Sequence, residues 1–135
     1  MAKQSEKKIV AFCCENSALK AAEALGGPAA LEALAAVELV RLPCTGKAEI
    51  GLLLECLEKG HPGVLVLGCP EDNCKFLVGS SRARKRVEAT RRLLKEAGLS
   101  EERVHMDFVS SVDSHRLGRI VREMQERLAA TGGKV

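Results

Sequence analysis

Short continuous apolar runs alternate along this chain with stretches in which apolar residues recur every three or four positions, the patterns of strand and amphipathic helix respectively. Ile9 to Cys14 reads as a first strand, and Asn16 or Ser17 stands where a side chain can cap a helix beginning near Ala18. Gly26, Gly27 and Pro28 break that helix, and an Ala/Leu-rich turn or two follows to about Ala35. Val37 to Leu42 is the second strand, stopped by Pro43. Ile50, Leu53, Leu54 and Leu57 then form one buried helical stripe that ends before Gly60 and Pro62. Val64 to Leu67 is uninterrupted by polar residues, as a parallel strand covered on both faces should be. A helix from about Ser81 to Ala97 turns Val87, Thr90, Leu94 and Ala97 inward and its arginines outward. Val104 to Val109 is the fourth strand. The last helix buries Leu117, Ile120, Val121, Met124 and Leu128, and TGGKV reads as a frayed tail.

Strands alternating with helices imply β-α-β units, hence an α/β fold: a flavodoxin-like open parallel sheet of about four strands, order 2-1-3-4, with helices on both faces. The 135 residues make a single domain over 8–130, with residues 1–7 and 131–135 as flexible tails. A chain of this length buries roughly two-thirds of its unfolded surface around one core. Neither a linker nor a repeat divides it.

Composition narrows the function. The chain is 46% hydrophobic but 2% aromatic, with three Phe and neither Trp nor Tyr. Its core is therefore aliphatic, and the rings needed to stack single-stranded nucleic acid are missing. A net charge of +3, spread through mixed-sign helices, makes no case for nucleic acid either. No apolar stretch reaches the length of about 18 to 20 residues of a membrane span. The start, MAKQSEKK, is polar and lacks the apolar region of a signal peptide, so the expected location is cytoplasmic, where thiols stay reduced.

Cysteine placement is the chemical signal. Cys14, Cys44 and Cys69 each stand at or just beyond the end of a strand-like run, and Cys74 follows on the loop after Cys69. With strand order 2-1-3-4 the ends of the first three strands lie side by side, where open α/β sheets bind their ligands. Four thiols gathered there suit Zn²⁺ or an iron–sulfur cluster. Of the spacings, only Cys69-x4-Cys74 resembles a zinc knuckle, while iron–sulfur clusters accept ligands from dispersed loops more readily. Cys13 points to the opposite face from Cys14 by strand alternation, and Cys56 lies mid-helix beside the buried stripe, so both read as packing residues.

The runs VAFCCENS, RLPCTGK, GVLVLGCPEDNCKF and VGSSRARKRVEATRRLLKEAGL, in this order and at these separations, resemble the delta, or iron–sulfur, subunit of methyl-viologen-reducing hydrogenase, found with heterodisulfide reductases. The resemblance extends over about Lys8 to Leu128. It implies a cytoplasmic electron-transfer subunit with one [2Fe–2S] cluster and no independent catalytic site. Such subunits pass electrons between a hydrogenase, formate dehydrogenase or similar module and the flavin-containing A subunit of heterodisulfide reductase, in assemblies that include electron-bifurcating complexes of anaerobes. Carried over, Cys14 matches the first cysteine of the family's Cys-x-x-Cys segment, Cys44 that of its Cys-Ser-Gly-Arg segment, and Cys69 and Cys74 its Gly-Cys-x4-Cys segment. These four are the implied cluster ligands. The chain departs from the pattern at Ser17, where the second cysteine is usual, at Asn16 for Trp, at Lys47 for Arg, and at Pro70 and Lys75 where histidines are common.

Other features carry less. Gly46, Gly68 and Gly79 either let backbone approach a cluster or simply make turns. The basic run Arg82, Arg84, Lys85, Arg86, Arg91 and Arg92 is a solvated helix face or a docking surface for an acidic partner. His115, near Asp113, reads as a surface histidine. No Gly-rich phosphate loop follows the first strand, no G-x-S-x-G elbow occurs, and Lys75 stands where a cysteine phosphatase loop needs arginine. Three readings remain: an electron-transfer subunit with a [2Fe–2S] cluster, a zinc-stabilised or cluster-free scaffold of a redox complex, and a thiol redox protein using Cys69 and Cys74.

Overall fold

In a computed structural model the described residues are 8–14, 35, 37–42, 48–68, 79–109 and 114–130. They form strand β1 (Ile9–Cys14), β2 (Val37–Leu42), helix α1 (Ile50–Glu58), β3 (Val64–Gly68), α2 (Gly79–Glu96), a 3₁₀ turn (Glu101–Arg103), β4 (Val104–Phe108) and α3 (Ser114–Ala130). All strand pairs are parallel, and their order is β2-β1-β3-β4, as the alternation of patterns predicts. The helix expected near Ala18 lies outside the described residues, as do the two tails.

Side-chain alternation splits the core in two. Ile9, Ala11 and Cys13 share one sheet face with Leu65 and Leu67 and pack against Leu117, Val121 and Met124 of α3. Val10, Phe12, Val64, Val66 and Val104 share the other face and pack against Leu53 of α1 and Ala83, Val87 and Leu94 of α2. Covered from both sides, β1 and β3 are buried along their whole length. Edge strand β2 is instead largely half-buried, with Val37 buried and the charged Glu38 and Arg41 exposed, which discourages edge-to-edge pairing.

Helices α1 and α2 both stop at a glycine in the left-handed region. At the end of α2 the amide of Gly98 (φ 82°) donates to the Lys95 carbonyl and that of Leu99 to Leu94 at 2.8 Å, a Schellman arrangement. Gly60 (φ 99°) repeats it for α1, with Gly60 donating to Leu57 and His61 to Cys56. This corrects the expectation for Ala97, which is exposed because it caps α2 instead of continuing its inward stripe. Ala83 is buried in that stripe, and the buried Thr90 satisfies its hydroxyl on the Arg86 carbonyl at 2.8 Å. In α1 only Leu53 is buried; Ile50, Leu54 and Leu57 are half-buried.

The amino edge of the sheet is strapped by Arg103. This buried side chain donates through Nε to the Pro62 carbonyl (3.2 Å) and through Nη2 to that of His61 (3.1 Å), while Nδ1 of His61 bonds the Lys8 carbonyl at 2.7 Å. Burial lowers the pKa of Arg103 from the ordinary arginine value. Immediately beyond, a Cβ on Gly63 would lie 2.8 Å from Met124 Cε and 3.2 Å from the Arg103 carbonyl oxygen, so glycine lets α3 close on the sheet.

Candidate functional site

The carboxyl ends of the strands form one row. Cys14 is level with Leu42 of β2; Cys13 is level with Leu67, so one step on Cys14 stands beside Gly68, itself level with Phe108 of β4. At a spacing of about 4.8 Å between strands, the ends of β2 and β3 are roughly 10 Å apart with Cys14 between them. In sequence Cys44 follows Leu42 by two residues, Cys69 follows Gly68 directly, and Cys74 comes five later. Cys44, Cys69 and Cys74 lie outside the described residues, with Asn16, Ser17, Gly46, Lys47, Pro70, Lys75 and Asp113. Of the four cysteines implied as ligands, the structure thus describes Cys14 alone, together with the strand ends from which Cys44 and Cys69 depart.

Cys14 is 2% exposed. Alternation puts it on the sheet face of Val10 and Phe12, at the last position before the chain leaves the sheet. Cys13 belongs to the opposite core, and its Sγ donates to the Ala11 carbonyl at 3.6 Å. Burial, with a smaller contribution from Cys14 beside it, pushes its thiol pKa up to about 12. Its place in the core on the face opposite Cys14 makes it a packing group. Cys56 is half-buried against the α1–α2 core, its pKa raised by burial and then by Glu55. Both positions agree with their reading as packing residues.

The β4 side of the row is pinned from α3. Arg116 donates through Nη2 to Asp107 Oδ1 at 2.6 Å and through Nε to the Phe108 carbonyl at 2.7 Å, and Oδ1 also accepts the Phe108 amide at 2.8 Å. The next amide, Val109, donates to the Gly68 carbonyl at 2.8 Å. These contacts hold the residue preceding Cys69. Neither Arg116 nor Asp107 stands out in the sequence; an acid at a strand end and an arginine nine residues on are a common pair. The buried Arg103 was equally invisible, since a lone arginine reads as surface.

Gly68 closes β3 and Gly79 opens α2, while His115 is exposed. Among the described residues no group of three His, Cys, Asp or Glu side chains is arranged to hold a metal ion. Nor is any described helix long and apolar enough to cross a membrane.

Comparison with known proteins agrees with the resemblance seen in the sequence. A family model described as methyl-viologen-reducing hydrogenase, delta subunit, matches residues 9–132. The vhu iron–sulfur subunit of the F420-non-reducing hydrogenase of Methanocaldococcus jannaschii is 36% identical over 124 residues, covering 92% of this chain and 92% of that protein. Its namesake from Methanopyrus kandleri is 36% identical over 127 residues, covering 94% and 96%. A different relation joins the chain to the A subunit of the ferredoxin/F420H2-dependent CoB–CoM heterodisulfide reductase of Methanosarcina acetivorans. There the identity is 29% over 124 residues, which are 92% of this chain but 16% of that protein.

Proposed function

This chain belongs to the methyl-viologen-reducing hydrogenase delta-subunit family, and on that premise we propose that it is the electron-transfer subunit of an oxidoreductase complex, carrying one [2Fe–2S] cluster on Cys14, Cys44, Cys69 and Cys74. The observation that carries the reading is the row of strand ends in which Cys14 lies between Leu42 and Gly68. Along the sequence, Cys44 follows Leu42 by two residues and Cys69 follows Gly68 directly. The names of the relatives support the cofactor: those matched over nearly their whole length are iron–sulfur subunits.

The donor set suits the group. Thiolates are the ordinary ligands of iron–sulfur clusters, and the two cysteines assigned to packing stand off the row of strand ends, Cys13 in the core on the opposite sheet face and Cys56 near the end of α1, which leads into the start of β3. A cluster so bound accepts and returns one electron at a time. The protein's part is to hold the ligands at the sheet edge and exclude water. It does so through fully buried β1 and β3 and the Arg116 clamp on β4.

The partners proposed are a hydrogenase- or formate dehydrogenase-type module on one side and a flavin-containing, heterodisulfide reductase A-like subunit on the other. Support for the latter comes from the Methanosarcina relative, in which the matching segment is part of the reductase polypeptide itself.

Anaerobic purification with metal and sulfide analysis tests the cofactor. About two irons and two sulfides per chain, with an EPR signal appearing on reduction, are expected. Stoichiometric zinc, or no metal after anaerobic reconstitution, overturns the proposal in favour of a scaffold role.

A further inference from the structure

The outward side of α2 exposes more cations than acids, with Glu88 and Glu96 lying among the cations, and an exposed leucine stands on the flank of the helix that faces α1. Ala83, Val87, Thr90 and Leu94 form the buried stripe, which leaves Arg82, Lys85, Arg92 and Lys95 exposed on the other side. Among the described residues, none of those four cations takes part in an ion pair. Leu93, next to Arg92, is 47% exposed and forms the rim of an open apolar groove of about 430 Å³ that also includes Leu57 and Leu99.

The direction of the helix matters. Arg84 lines a cleft with Phe108 at the carboxyl end of β4, and Arg91 reaches His105, three residues nearer the amino end. The first turns of α2 therefore lie at the sheet edge where Cys14, Gly68 and Phe108 are aligned, and Leu93 lies toward the opposite edge. At 1.5 Å per residue, Arg82 and Arg92 are about 15 Å apart along the axis. A partner that covers this face reaches the carboxyl edge of the sheet.

We propose that the outer face of α2 is the docking surface for a partner redox protein whose complementary surface is acidic and ends in an apolar patch seated on Leu93. The proposal rests on the reading of the chain as a redox subunit. Charge selects the partner: exposed cations at a rim steer an acidic surface into encounter, and a desolvated leucine slows its escape. A nucleic acid would have no use for the leucine or the groove.

The test uses the full chain, reconstituted anaerobically, and the heterodisulfide reductase A-type flavoprotein encoded by the same genome. Association and dissociation rates are measured at low and high salt. The variant Arg82→Glu/Lys85→Glu/Arg92→Glu should lower the association rate about tenfold or more and flatten its salt dependence, with iron content and circular dichroism unchanged. Leu93→Ser should speed dissociation. Reversing exposed cations of α3, in Arg119→Glu/Arg122→Glu, should change either rate by less than about twofold. Equal effects of the α2 and α3 reversals overturn the docking surface and leave the redox-subunit reading standing. Failure of the unaltered, cluster-loaded chain to bind overturns both. Tighter binding to a DNA duplex of about 20 base pairs, lost in the α2 variant, reassigns the face to nucleic acid.

Discussion

Arg116 and Asp107 meet at 2.6 Å where α3 begins and β4 ends, and the same guanidinium donates to the Phe108 carbonyl at 2.7 Å. One side chain thus ties a helix start to the last turn of an edge strand. Because Val109 in turn bonds Gly68, the tie extends to the residue before Cys69. Arg116→Ala should lower stability by about 1 to 2 kcal/mol, the range for a charge-assisted bond that is partly exposed. Arg116→Lys, which keeps a charge but not the fork, should fall between. Urea denaturation measures both. If the β4 end positions the cluster, Arg116→Ala should also broaden or shift the EPR signal of the reduced protein, an effect that a merely less stable fold would not produce.

Cys13 makes stability sensitive to alkaline pH. Its thiol ionises at about 12 in the folded chain against 9.0 for an ordinary thiol, so above pH 9 the unfolded state loses that proton first. The stabilisation is complete below about pH 9 and is lost as pH rises from there to about 12, at up to about 1.4 kcal/mol per unit. Cys13→Ala should remove this slope. Denaturation midpoints of the two proteins at pH 8 and pH 10.5, compared as differences, check it.

Gly63→Ala should cost about 1 kcal/mol. The added Cβ meets the flexible tips of Met124 and Leu128, which can yield, and the Arg103 carbonyl at 3.2 Å, which resists. A loss above about 4 kcal/mol would mean that α3 cannot shift at all. A neutral result would mean that the Arg103 carbonyl gives way as easily as the side chains.

Arg103→Ala should destabilise by about 2 kcal/mol, through the loss of two bonds to the His61 and Pro62 carbonyls. It lies at the amino edge of the sheet, so iron content after reconstitution should not change. Loss of iron in the folded variant would contradict the placement of the site at the carboxyl edge.

Single alanine variants separate ligands from packing. Cys14→Ala, Cys44→Ala, Cys69→Ala and Cys74→Ala should each lose the cluster, and Cys13→Ala and Cys56→Ala should keep it, by iron analysis and absorbance. If the metal-free chain instead forms a reversible Cys69–Cys74 disulfide at physiological potential and never binds iron, the thiol redox reading replaces the cluster.

Much of the fold was legible in the hydrophobic pattern. The runs Ile9–Cys14 and Val37–Leu42 have the same bounds in the structure, and continuous burial of β3 follows from its lack of polar residues. The inward stripe of α3 was equally plain for Leu117, Ile120, Val121 and Met124, which are buried, while Leu128 near the helix end is half-buried. Ala97 was misjudged because helical periodicity carries no record of where a glycine will turn the chain. In the candidate site, Cys13 and Cys14 were separable by strand alternation alone.

By itself the sequence determined which segments are strands and helices, that they form parallel β-α-β units, and which cysteines follow strand ends. Those properties depend on local patterning, which neighbouring residues along the chain carry. Only the tertiary structure decided that Cys14 is aligned with Leu42 and Gly68, that Arg116 reaches Asp107 and Phe108, and that Arg103 is buried. Register and burial are set by packing between segments far apart in sequence, where one residue of slip would turn every strand side chain to the other face.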